Sequence, residues 1–152
     1  MKYKLTEETK IVYGRTLHRI VCVKAFALVS VGDVGGWIES ENNLSQDGDA
    51  WVYGNAKVYG DAKVYGNAWV CGDAEVYGLT DFIVLKNSWS SGRYFTYTAS
   101  NKMWKVGCFY GTGEELIKKA YKDNELSGKC YEAAVKYVEE IERLKKELKN
   151  EH

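Results

Sequence analysis

The sequence predicts a mainly β fold with a C-terminal α part. The expected architecture is a short triangular parallel β-helix under an N-terminal β-cap, followed by a β-hairpin and two helices. Three observations predict it. Five hexads run without a gap over residues 48–77, reading GDAWVY, GNAKVY, GDAKVY, GNAWVC and GDAEVY. The 152 residues include 15 Gly and no Pro, as unbroken ladders with a tight corner at every hexad require. Beyond residue 112 the apolar residues recur at three and four, the spacing of amphipathic helices. The expected divisions are residues 1–29, 30–83 and 84–152.

The repeat carries most of this reading. Within a hexad, Ala, a variable residue, Val and Tyr alternate in, out, in, out, the period of a strand. Gly followed by Asp or Asn then turns the chain, because both tolerate left-handed backbone angles. Self-similarity at a fixed short period marks a stacked repeat. Three hexads per coil set residue i over i+18, about 4.8 Å away. Trp51 then lies on Trp69, Lys57 beside Glu75, and Asp49 over Asn67. Two hexads per coil would stack Asp49, Asp61 and Asp73 in one column of like charge. A weaker frame extends upstream, with Ile38 and Leu44 at the Ala position and Val34 at the Val position, making nine hexads over residues 30–83. The sixth clear-frame hexad, GLTDFI at 78–83, fades.

The flanks follow from the same rules. KYKL, KIVY and LHRIVCVKAFALV are strand-like runs around a turn at Tyr13, Gly14 and Arg15, and predict a β-cap over the open edge of the first coil. RYFTYT and MWKVGCFY flank Ala99–Lys102 as a hairpin. Thr112-Gly113-Glu114-Glu115 is a T-x-x-E capping box that opens a helix to about Asn124, with Leu116, Ile117, Ala120 and Tyr121 on one face. A second helix is expected from Ser127 or Gly128 to about Lys149. Its stripe is Ala134, Tyr137, Ile141, Leu144 and Leu148, with Glu139–Arg143 and Glu142–Lys146 pairs outside. The stripe is short, which favours packing on the first helix over a coiled coil.

On these residues the chain resembles a known group. The hexad spacing resembles the hexapeptide-repeat left-handed parallel β-helix, and left-handedness is implied by that resemblance alone. GRTLHRI followed by VGDVGGWIESENNLSQDGDAWVYGNAKVYGDAKVYGNA is similar to uncharacterised phage and prophage proteins carrying the repeat, over roughly residues 3–83. YFTYTASNKMWKVGCFYGTGEELIKKAY, residues 94–121, is similar to a segment of phage proteins without assigned chemistry. The resemblance implies a phage-type protein acting in a bacterial host cytoplasm and a homo-oligomer, a trimer by preference.

Composition excludes several functions. With 21 basic and 21 acidic residues the net charge is zero, unlike a protein that coats DNA or RNA. The polar N-terminus reads as no signal peptide, and no apolar run is long enough to span a bilayer. Cys22, Cys71, Cys108 and Cys130 form no C-x-x-C pair, and His18 and His152 are the two histidines. No metal site, no cofactor and cytoplasmic free thiols are therefore expected.

Chemistry is sparse. The resemblance raises an acyltransferase, whose family uses a histidine base, but the repeat contains no histidine. G-x-S-x-G, Walker and H-E-x-x-H motifs are missing, and a non-enzymatic role is expected. The candidate ligand-binding set is Arg93, Tyr94, Tyr97, Trp104, Lys105, Tyr110, Thr112 and Gly113, aromatic and basic residues before a helix N-terminus. Aromatic faces stack on bases while cations and free N–H groups meet phosphates. The same residues read equally as a small aromatic sheet core and a helix cap. The candidate partner face is Trp51, Tyr53, Tyr59, Tyr65, Trp69 and Tyr77, an outward aromatic column that either binds a partner or is covered by the chain's own C-terminal part. The most concrete expectation is a counter-defence sponge that sequesters a host immune nucleotide signal in a homo-oligomer. The alternatives are a protein inhibitor of a host defence enzyme or nuclease, and an acyltransferase.

Overall fold

The computed structural model describes residues 1–78 and 80–150, with the side chains of residues 149 and 150 left aside. Strands β1 (Tyr3–Val12) and β2 (Arg15–Cys22) form an antiparallel hairpin, and β2 pairs antiparallel with β3 (Val34–Ile38). A 3-10 turn at Glu41–Asn43 leads into the repeat. The repeat contributes β4 (Trp51–Val52), β5 (Lys57–Val58), β6 (Trp69–Val70) and β7 (Glu75–Val76). Four longer strands follow: β8 (Phe82–Lys86), β9 (Tyr94–Thr98), β10 (Met103–Val106) and β11 (Phe109–Gly111). The chain ends in α1 (Gly113–Asp123) and α2 (Glu125–Asn150).

These elements make a mixed α/β fold with three separate sheets. The first has the order β1-β2-β3-β5-β7, the second is the β4-β6 pair, and the third is β11-β10-β9-β8. The expected closed triangular β-helix with its own cap is thereby corrected. Parallel pairing does occur at eighteen-residue steps, with Trp51 on Trp69, Val52 on Val70, Lys57 on Glu75 and Val58 on Val76. Each such strand is two residues long, and the remaining side offers one isolated bridge, Leu44 to Val64. The N-terminal hairpin does not sit over the rungs as a lid. It continues their sheet edge-on through β3, turning that sheet antiparallel. The likeness to the left-handed hexapeptide β-helix, and the handedness it implied, fall with the closed prism.

The upstream frame is corrected too. Ile38 pairs with Val58 and Leu44 bridges to Val64, so both occupy the Val position and the step there is twenty residues. Val34 is paired with Val21 on the antiparallel side and is exposed. The two extra residues lie between Leu44 and Asp49, since Ser45 N still donates to Val64 O (2.9 Å) whereas Asp49 N donates to Gly66 O (3.1 Å). Asn43, wholly buried, accepts through Oδ1 from the backbone N–H of Glu39 (3.2 Å) and Ser40 (2.9 Å). Its Nδ2 donates to the carbonyls of Gly60 (3.2 Å) and Ala62 (2.8 Å). A side chain stands in for a stretch of ladder. At 78–83, Phe82 and Ile83 join the antiparallel sheet, and Leu79 lies outside the described residues.

Inside the rungs, alternation buries two ladders. Ala50, Ala56, Ala62, Ala68 and Ala74, with Val52, Val58, Val64, Val70 and Val76, are at most 1% exposed. Each fully buried Val contributes about 1.5–3 kcal/mol relative to exposure. Corners such as Gly66 (φ 64°) and Gly72 (φ 65°) hold the left-handed conformation that glycine adopts without a Cβ penalty.

Stacked parallel rungs exchange backbone bonds in both directions: Trp51 N donates forward to Ala68 O (3.1 Å) and Lys57 N to Ala74 O (2.9 Å), while Val64 N donates back to Asn43 O (2.9 Å). The outer edges of the first and last rungs are left with unpaired backbone groups, and buried orphans are costly. The chain satisfies both. Lys2 Nζ donates to the carbonyls of Ala50 (2.7 Å) and Gly48 (3.3 Å), and the Tyr3 hydroxyl to that of Leu44 (2.5 Å). At the other end, Thr96 Oγ1 accepts from Trp69 N (3.1 Å), Ser100 Oγ from Glu75 N (2.8 Å), and the Asp81 carboxylate from Tyr77 N and Gly78 N (both 2.9 Å). Thr96 lies on β9 and Asp81 just before β8, so these contacts fix where the third sheet sits.

α1 begins at the expected cap, and α2 starts two or three residues earlier than the sequence suggested. Its outer ion pairs also differ. Arg143 joins Glu140 and Glu147, and Lys145 joins Glu142. Among the described residues no helix is long and apolar enough to cross a membrane.

Candidate functional site

Alternation along β9 and β10 sorts the candidate residues onto two faces. Trp104 pairs with Tyr97, and Lys105 with Thr96. Phe95, Tyr97 and Trp104 point to the helices and are 2%, 6% and 2% exposed. The rings of Tyr97 and Trp104 lie 5.0 Å apart, those of Phe95 and Tyr131 5.2 Å, and those of Trp89 and Tyr131 4.8 Å. Tyr97 and Trp104 are thus core residues under α1 and α2, out of a ligand's reach.

The opposite face meets the rungs. There Thr96 Oγ1 holds Trp69 N, and a cleft of about 460 Å³ opens between the third sheet and the β4-β6 side. Arg93, Tyr94 and Lys105 line it from the side of the third sheet, Trp69, Asn67 and Asp49 from the rungs, with Leu28 also on the lining. The Trp69 indole is fixed, since its Nε1 donates to Asp49 O (2.8 Å) and its ring meets Tyr53 edge-on at 5.5 Å. Lys105 Nζ lies 5.9 Å from the centre of the Tyr53 ring, a cation–π arrangement. Among the described residues neither Arg93 nor Lys105 belongs to an ion pair. The cleft therefore offers two uncommitted cations opposite an immobilised indole.

Arg93 and Tyr94 also border a second cleft of about 650 Å³, together with Tyr110 and Lys119. The Tyr110 hydroxyl accepts from Asn101 Nδ2 (3.0 Å) and donates to Cys71 O (3.4 Å), and burial raises its pKa. Burial likewise pushes the Cys71 thiol up, which leaves it a poor nucleophile.

The helix start offers no anion site. Thr112 Oγ1 accepts from Glu115 N (3.2 Å), and the Glu115 carboxylate accepts from Thr112 N (3.0 Å). That carboxylate already occupies the positive end of the helix, and the Thr112 N–H holds its pKa below the usual range. Gly113 is a packing glycine, since a Cβ there would lie 2.9 Å from Val135 Cγ1.

The expected aromatic partner face is corrected by burial. Trp51 is 2% exposed, wedged between Tyr3 (6.4 Å) and Phe26 (5.3 Å). Tyr59 is 8% exposed, stacked on Tyr77 at 6.0 Å and packed with Leu17 and Trp37 of the N-terminal sheet. Tyr53 and Trp69 are partly buried, and Tyr65 and Tyr77 remain exposed. The chain's own flanks cover most of the column, because large outward rings bury apolar area wherever a neighbouring segment reaches them.

His18 lies in the hairpin, its Nδ1 3.2 Å from Thr6 O, and His152 is outside the described residues. Among the described residues no cluster of three His, Cys, Asp or Glu side chains is placed to hold a metal ion. Sequence reasoning missed Trp69, Asn67 and Asp49 as cleft residues. Their hexad positions read as a solvent-facing stack, and nothing in the sequence says which face the third sheet covers. No protein-family model matches the chain, and no curated protein matches it. The likeness to phage proteins read from the repeat thus finds no support in these comparisons.

Proposed function

We propose that the protein binds a small anionic ligand carrying an aromatic ring, of which a nucleotide is the most natural kind, without converting it. The observation that carries this reading is the placement of Arg93 and Lys105, both outside any ion pair among the described residues, in the cleft lined by Trp69. A volume of about 460 Å³ is within the range of small-molecule sites. A base would stack on the Trp69 or Tyr94 ring, an interaction worth about 1–3 kcal/mol. Arg93 and Lys105 would meet the phosphate through charge-assisted hydrogen bonds. Asp49 works against a bare polyanion and favours a ligand with hydroxyl or N–H donors to offer its carboxylate, such as a ribose. Sequestering a host immune nucleotide signal is one setting in which binding without turnover would be the whole activity.

Calorimetry with a panel of mono-, di- and cyclic nucleotides tests the reading, with inorganic phosphate and bare nucleosides as controls. The expected result is binding of a nucleotide that neither half-ligand reproduces, weakening with salt. Arg93→Ala and Lys105→Ala should each lower affinity by roughly tenfold or more. If no nucleotide binds, or if phosphate alone binds as well as the full ligand, the proposal fails.

A further inference from the structure

α2 presents two apolar faces, of which only one has a partner among the described residues. Tyr131, Val135 and Val138 are buried against α1 and the third sheet. A second strip runs the length of the same helix through Leu126, Cys130, Ala133, Tyr137, Ile141, Leu144 and Leu148, spaced at three or four. Its large residues are open: Leu126 and Leu148 are 58% exposed, Tyr137 55% and Leu144 41%. Isolated exposed apolar residues need no explanation, but a continuous strip along most of a 26-residue helix does.

The geometry points to a second copy of this chain as the occupant, through antiparallel pairing of α2 about a two-fold axis at Tyr137. The strip is symmetric about that residue. Leu126 and Leu148 lie eleven positions to either side, Cys130 and Leu144 seven, and Ala133 and Ile141 four. A two-fold interface demands such self-complementarity, because each position meets its mirror-related one. An antiparallel pair therefore faces Leu126 with Leu148, Cys130 with Leu144 and Ala133 with Ile141, all apolar layers.

Charge supports the same direction. One flank of the strip carries Lys129 and Lys136 before the centre and Glu140 and Glu147 after it, while Lys145 on the other flank is held by Glu142 and the Thr80 carbonyl. In antiparallel helices like flanks face each other, so Lys129 meets Glu147 and Lys136 meets Glu140 of the second copy, each offset by about 3 Å along the axis. Within one chain these groups are held by Glu125, Glu132 and Arg143 in solvent-exposed pairs. Such pairs are weak and re-form at small cost. The inference is independent of the ligand cleft.

Light scattering and sedimentation of the full chain test it. At about 0.1 mM, enough to populate a micromolar dimer, the mass should be twice 17.2 kDa. Tyr137→Glu sets two carboxylates on the axis and should return the mass to 17.2 kDa with an unchanged far-UV spectrum and a melting temperature that no longer rises with protein concentration. Lys129→Glu with Lys136→Glu should weaken the dimer by roughly tenfold. Direction is read by cross-linking in a Cys108→Ser background. Under mild oxidation by diamide, Leu144→Cys should form a disulfide with Cys130 of the second copy, identified by peptide mapping. A monomeric wild type, a dimer indifferent to Tyr137→Glu, or a 144-to-144 linkage would each overturn the inference.

Discussion

Replacing Asn43 by Ala tests the account of how the first rung is joined to the second. The side chain is wholly buried and makes four hydrogen bonds to backbone groups, two accepted at 3.2 and 2.9 Å and two donated at 3.2 and 2.8 Å. A net contribution of about 0.5–1.5 kcal/mol per bond, with some of the freed groups reaching water, gives a loss of about 3 kcal/mol. For a chain of this size that corresponds to a fall in melting temperature of roughly 6–12 °C. Urea denaturation gives the free energy directly, and an unchanged m value would show that the unfolded state is not the cause. Asn42→Ala, one residue earlier and exposed, should move stability by less than about 0.5 kcal/mol. Asn43→Asp keeps both accepted bonds but turns a carboxylate towards the Gly60 and Ala62 carbonyls, so it should cost at least as much as Ala. A loss below about 1 kcal/mol for Asn43→Ala would refute the reasoning, since water would then be reaching groups held to be dry.

Three further outcomes follow from the same contacts. Glu39 Oε1 accepts from Gly60 N and from Arg15, each at 2.9 Å, and the Gly60 N–H before the Arg15 guanidinium holds its carboxyl below the usual carboxylate range. A depressed folded pKa means a stabilisation present above the unfolded value of about 4.3 and lost as pH falls through the lower folded one. Melting curves from pH 7 to 3 should therefore fall less steeply on the acid side for Glu39→Gln than for the wild type. Trp104→Ala should cost about 3–5 kcal/mol in urea unfolding, because it empties the core under the helices. Trp69→Ala should cost less and instead abolish the ligand heat, separating the two tryptophans by function. Gly72 sits at φ 65° with the Tyr110 ring against it, so Gly72→Ala should destabilise by more than about 1 kcal/mol. Adding Tyr110→Ala should recover the steric share but not the backbone share, a non-additivity that a double-mutant cycle measures.

The candidate cleft was legible in halves. Arg93, Tyr94 and Lys105 stood out because basic and aromatic residues crowd a short segment, and that signal is local. Tyr97 and Trp104 gave the same signal and are core residues, because the face that a strand turns inward depends on which side the helices cover. Trp69, the cleft's other wall, could not be found from the segment near residue 100, since it lies more than twenty residues upstream in a different sheet. Asn43, Lys2, Thr96 and Ser100 were likewise silent. Each is an ordinary polar residue whose task, supplying hydrogen bonds to the edges of a stack, exists only once the rungs are stacked.

By itself the sequence determined what depends on neighbours along the chain. The Ala and Val ladders, the glycine corners, the eighteen-residue step between Trp51 and Trp69, and the Thr112–Glu115 cap all follow from local sterics and periodicity. Only the tertiary structure decided what happens at the edges. Two-residue strands have little ladder of their own, so their exposed backbone takes whatever pairs best. That is an antiparallel hairpin on one sheet and the Thr96 and Ser100 hydroxyls at the far end. These edge choices turned an expected closed prism into three sheets, buried Trp51 and Tyr59, and brought Arg93 and Lys105 to the cleft that Trp69 lines.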